Sequence, residues 1–200
     1  MPMNHHTDQQ LALKWIRKLK GFTTVMVVFM AFVSIAVNSQ GLFSAEFGDP
    51  MIQQLSFDLR NPLREFGITI LTSIIVHFSI SHFISNCIWL LPFGLFLEHT
   101  RSIKLLLIAG LSGHLVSLAF SWAQFTSEMP HFVLGASAFT LSTIGFTAAI
   151  EKKLFLYMLS GIIIVTLPTL DQEPWAHIMA MATGSLLGIV FSKKTKKTSK

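Results

Sequence analysis

Six stretches of the chain contain no Asp, Glu, Lys or Arg: residues 21–45, 66–97, 105–127, 129–150, 154–170 and 174–192, which are 25, 32, 23, 22, 17 and 19 residues long. A helix rises ~1.5 Å per residue, so crossing a hydrocarbon core ~30 Å thick takes ~20 apolar residues, with a range of about 17–25. Five stretches fit one span each, and the second is too long for a single straight one. Together they occupy more than two thirds of the 200 residues, which leaves little chain for a domain outside the membrane. The composition excludes the alternatives. Only 12% of residues are charged, against about 25% in an ordinary soluble domain. With 52% apolar residues, 18 Phe and 9 Met, the chain has too much apolar surface to stay disordered in water.

The expected fold is therefore all-α: a polytopic membrane protein with a compact bundle of six transmembrane helices. Spans are expected at about 21–40, 78–98, 104–124, 132–150, 153–170 and 174–192, within a membrane domain of residues 21–192. A basic segment, 1–20, precedes it and a basic tail, 193–200, follows. No cleavable signal peptide is expected, because the first apolar run is too long for a signal core. The connection after the first span is long, contains Pro50 and Pro62, and includes the apolar run Phe66–Val76. It reads as a first external loop that is partly inserted in the membrane.

Charge sets the orientation. With six spans, 13 of the 15 basic residues share one side: Lys14, Arg17, Lys18, Lys20, Arg101, Lys104, Lys152, Lys153 and the five lysines after residue 192. The other side holds only Arg60 and Arg64, with seven of the ten acids. Cytoplasmic loops carry the excess of Lys and Arg, so both termini are expected in the cytoplasm. The formal net charge of +5 is thus assigned to a membrane surface, and no nucleic-acid partner is expected. Cys87 is the only cysteine, which excludes an internal disulfide and argues against a cysteine-ligated metal. No metal and no cofactor are expected.

The polar residues inside the spans converge on one depth. Counted back from the cytoplasmic boundary, Asn86 is 12 residues from Glu98, Ser137 is 14 from Glu151, and His82 and His177 are each 16 from Glu98 and Lys193. These separations correspond to about 18, 21, 24 and 24 Å. Three helices thereby contribute four polar groups to one layer in the outer half of the bilayer. Such groups are costly in lipid and face a bundle interior or a wet cavity. A serine hydroxyl needs a base, and neutral histidine is the usual one. Acyl transfer also needs donors for the developing oxyanion, which Asn86, His82 and the N–H of Ser137 can supply. No carboxylate shares the layer, so the arrangement is a Ser–His dyad. Ala180, Gly184 and Gly188 follow His177 at +3, +7 and +11 and make a smooth face for close helix approach.

The pattern of His77, His82 and Asn86 with Glu98 twelve residues on, Gly135-x-Ser137, and His177 followed by small residues resembles the rhomboid family of intramembrane serine proteases over residues 66–192. The resemblance implies Ser137 as nucleophile, His177 as general base and acid, and His82 and Asn86 as oxyanion stabilisers. His77, Glu98, Gly135, Gly184 and Gly188 would be structural parts of the motif. It further implies substrates that are transmembrane proteins entering laterally from the lipid bilayer, past the fifth helix and the loop at 169–174. The expected location is a bacterial inner (cell) membrane. Four positions depart from the family's pattern: Ala138 stands for a glycine, Leu141 for an aromatic residue and Ala180 for a glycine, and the Trp-Arg pair of the first loop has no counterpart. They bear on rate more than on the reaction. His99, His114 and His131 lack motif partners and read as interhelical or interfacial residues. Two rival functions stay open: a catalytically weak or inactive rhomboid-like protein that binds transmembrane clients, and a small transporter using intramembrane histidine as a proton relay. The transporter would show paired carboxylates or broken helices in matching halves, which are absent from the sequence.

Overall fold

A computed structural model describes residues 21–37, 50–126, 131–151 and 174–197. The expected N-terminal basic segment, the fifth span, the loop at 169–173 and the end of the tail lie outside the described residues. Among the described residues there are seven α-helices: α1 (Phe22–Val37), α2 (Pro50–Leu55), α3 (Thr69–Ile75), α4 (Ile80–Thr100), α5 (Ile103–Gln124), α6 (Ser137–Ile150) and α7 (Pro174–Lys197). Among the described residues three helical segments, Ile80–Thr100, Ile103–Gln124 and Pro174–Ser192, are long and apolar enough to cross a membrane, while α1 and α6 are shorter apolar helices.

The helix starts follow from local chemistry. The Ser79 hydroxyl accepts the His82 N–H at 3.2 Å and caps α4, and the Ser102 hydroxyl does the same for Leu105 and α5. The first N–H groups of α1 are bound by a carboxylate from another helix. Glu98 Oε1 accepts the Phe22 N–H at 2.7 Å, and Glu98 Oε2 accepts the N–H and hydroxyl of Thr23 at 2.9 and 2.8 Å. The N-terminus of α1 and the C-terminal end of α4 therefore lie together, so the two helices run in opposite directions. Glu98 lies far along α4 from His82 and Asn86.

α6 is the central helix. Every residue from Ser137 to Ala148 is buried, and α4, α5 and α7 pack around it. Leu90, Leu97, Leu106, Ala109, Phe139 and Phe146 form the main core together with Met30 from α1. This surround explains a difference from expectation. The fourth span was expected from 132, whereas its helix begins at Ser137 and has 14 residues. A helix shielded by neighbours on all sides need not match the thickness of the lipid. Phe132 and Val133 instead form a two-residue strand, β2, paired antiparallel with β1 (Phe57–Asp58), a small addition to the all-α expectation.

The described part of the connection after α1 is built of short elements. α2, β1, a 3₁₀ turn at Arg64–Gly67 and α3 follow one another. Arg64 Nη2 donates to the carbonyls of Gln53, Gln54 and Ser56, and its guanidinium lies 5.6 Å from the Phe132 ring centroid. The loop lacks a Trp-Arg pair, yet this arginine straps it. Leu63, Phe66, Ile68 and Leu71 project outward as exposed apolar side chains.

Candidate active site

The two residues expected to carry chemistry meet. Ser137 Oγ lies 2.8 Å from His177 Nε2, across the interface of α6 and α7. With the hydroxyl donating to Nε2, the imidazole proton sits on Nδ1. That nitrogen has no hydrogen-bond partner among the described residues. Among the described residues no carboxylate meets that nitrogen, and the ring is held by the packing around it.

That packing comes from close helix approach. A methyl group at Gly184 would collide with the Ser142 carbonyl oxygen, and one at Gly188 would lie 2.6 Å from the Phe146 carbonyl oxygen. Ala180, which replaces a glycine of the family's pattern, is fully buried. Gly110 and Gly113 of α5 and Gly145 of α6 extend the same fit, the last facing the Met181 carbonyl; the sequence reading passed over these three. Leu141 packs with Phe93, Ile144, Trp89 and Met181, so aromatic rings from α4 line the space beside α6 at this position.

Ser137 is the first residue of α6, and this start differs from those of α4 and α5. Ala136 precedes it with no capping side chain. The leading N–H groups of a helix have no intrahelical acceptor, so here they remain available at the site, at the positive end of the helix dipole. The turn that delivers Ser137 depends on Gly135, whose φ of +105° favours glycine. A Cβ there would also lie 2.5 Å from His82 Cε1. Thus His82 sits against the turn that carries Ser137. Its ring is tilted over Phe78 at 4.4 Å and meets His77 edge-on at 5.1 Å.

Asn86, one helical turn further along α4, is 1% exposed. Its Nδ2, like His82 Nδ1, has no partner among the described residues. His77 is fully buried; its Nε2 accepts the Ala136 N–H at 3.3 Å, and its Nδ1 is 3.4 Å from Ser34 Oγ. It therefore anchors the residue before Ser137. Three other residues were not singled out for this neighbourhood. The Ser73 carbonyl accepts the Gly135 N–H at 2.7 Å, Ser34 backs His77, and His114 reaches Ser73 and Ile70. A serine within an apolar run is the only trace of Ser73 in the sequence, and a backbone carbonyl leaves none.

The described residues include no group of three or more His, Cys, Asp or Glu suited to hold a metal. The chemistry available is a hydroxyl beside an imidazole, with polar side-chain atoms nearby that have no partner among the described residues, which is the equipment of acyl transfer. A family model described as the Rhomboid domain matches residues 65–194. No curated protein matches the sequence significantly.

Proposed function

The chain belongs to the rhomboid family, and on that premise we propose that this integral membrane protein is a serine endopeptidase that hydrolyses a peptide bond in or near the transmembrane helix of its substrates. The observation that carries the proposal is the 2.8 Å contact of Ser137 Oγ with His177 Nε2. Ser137 Oγ attacks the scissile carbonyl carbon while His177 Nε2 takes its proton. The N–H of Ser137, Asn86 Nδ2 and His82 stabilise the oxyanion of the tetrahedral intermediate. His177 then gives the proton to the leaving amine, which leaves an acyl ester on Ser137. Water, deprotonated by His177, hydrolyses that ester and frees the enzyme.

The same reading assigns a membrane with both termini on the cytoplasmic side and substrates entering laterally from lipid, in the inner membrane of a bacterium. The exposed apolar rim at Leu63, Phe66, Ile68 and Leu71 supports partial insertion of the first external loop. Presence of both dyad residues in hydrogen-bond contact favours hydrolysis over mere binding of transmembrane clients.

Purified protein incubated with a fluorescent fluorophosphonate should become labelled, and mass spectrometry should place the label on Ser137. Ser137→Ala and His177→Ala should each abolish both labelling and cleavage of a transmembrane test substrate in protein that stays folded in detergent. The double variant should be no worse than either single one, because the pair acts as a unit. Cleavage that survives Ser137→Ala would make Ser137 a packing residue and end the protease reading.

A further inference from the structure

His114 is 2% exposed on α5, belongs to none of the motif positions, and forms no contact with Ser137 or His177 among the bonds described. Its surroundings are nevertheless specific. Nε2 lies 2.9 Å from the Ile70 carbonyl oxygen and 3.1 Å from Ser73 Oγ. A carbonyl only accepts, so Nε2 carries the proton and donates to Ile70 and Ser73 together. Ser73 Oγ in turn donates to Ile70 O at 3.1 Å. These three groups form a closed triangle that ties α3, in the external loop, to α5 in the bundle.

The triangle faces the nucleophile through one further bond. The carbonyl of Ser73 accepts the Gly135 N–H at 2.7 Å, and Gly135 is the φ-positive residue of the turn that opens α6. On the α5 side the anchor is rigid: Gly113, the neighbour of His114, abuts Ser142 of α6, and a methyl there would lie 3.0 Å from the Ala180 carbonyl of α7. Both helices that carry the dyad thus meet α5 one residue from His114.

We infer that His114 is a positioning residue for the nucleophile: through Ile70, Ser73 and the Gly135 N–H it fixes the turn that aims Ser137 Oγ at His177. The inference rests on the hydrolase reading. His77 holds the next amide, that of Ala136, directly, so two histidines bear on consecutive N–H groups of one turn, His114 by way of Ser73. A reacting atom displaced by ~1 Å can cost ~10²-fold in rate, so a donor this far from the chemistry can still control it.

The test uses His114→Leu, His114→Gln and His114→Asn in the full chain. A glutamine amide nitrogen takes roughly the place of Nε2, whereas that of asparagine takes roughly the place of Nδ1 and falls short of Ile70. His114→Leu and His114→Asn should lower kcat and the rate of fluorophosphonate labelling by at least about tenfold with KM little changed, and His114→Gln should recover most of the loss. Should His114→Leu fail to fold, the comparison of Gln with Asn decides. Equal rates in those two, or a folded His114→Leu that labels as fast as the parent, would overturn the inference. If the parent protein itself is never labelled, the hydrolase reading fails separately. Amide exchange then judges the positioning: His114→Asn should speed exchange at Gly135, and unchanged exchange would refute it.

Discussion

A buried amide donor without an acceptor costs about 1–3 kcal/mol, and Asn86 Nδ2 is such a donor among the described residues. Packing would be served as well by an apolar side chain at that site. The cost is intelligible if an acceptor arrives only during the reaction, when the oxyanion forms. Asn86→Ala should therefore lower kcat by ~10²-fold to 10³-fold, or less if His82 compensates, with little change in the thermal midpoint. Steady-state kinetics on a transmembrane substrate would show this. Unchanged activity in both Asn86→Ala and His82→Ala would remove both residues from the oxyanion role. Both side chains were singled out in the sequence by their spacing, four apart on one helix face, and by their depth in the span. Ser73 was not, because its useful atom is a carbonyl that every residue possesses.

Helix ends divide the molecule's labour. At one end Glu98 binds two N–H groups and a hydroxyl of α1, joining α1 to α4 without touching the dyad. At the other, α6 begins without a capping side chain and leaves its N–H groups for the site. Glu98→Gln replaces one carboxylate oxygen with a donor that faces other donors. It should cost about 1–3 kcal/mol and lower the thermal midpoint in detergent, while fluorophosphonate labelling at temperatures well below that midpoint stays near the parent rate. Loss of labelling in fully folded Glu98→Gln would show that the two ends are coupled. The periodic small residues after His177 announced the contact of α7 with α6. Their counterparts on α5 and α6 were invisible, because a lone glycine does not name the helix it will meet.

For the whole molecule, orientation is a matter of charge. The division of basic residues, 13 to 2, predicts that a reporter fused after Lys200 is cytoplasmic and one inserted near Asp49 is external. Protease protection or alkaline-phosphatase fusions would check it. Both reporters on one side would break the six-span topology. The Glu98 clamp, which holds the start of α1 against the end of α4, puts the end of α1 and the start of α4 together at the opposite end of the bundle. Ser137 and His177 lie at the end of the bundle away from that clamp.

Hydrophobic lengths, charge asymmetry and the depth of four polar side chains are properties of single segments, so they are written along the chain and could be read without a structure. They sufficed for a helical membrane protein, and they supplied an expected orientation and an expected set of site residues. Tertiary structure alone decided which groups touch: that Ser137 Oγ meets His177 Nε2, that α6 is short and buried among its neighbours, and that Ser73 bonds His114 through its hydroxyl and the Gly135 N–H through its carbonyl. The physical reason is that side-chain pattern records what each segment must bury, whereas a backbone carbonyl has no letter of its own, and its partner exists only once the helices have packed.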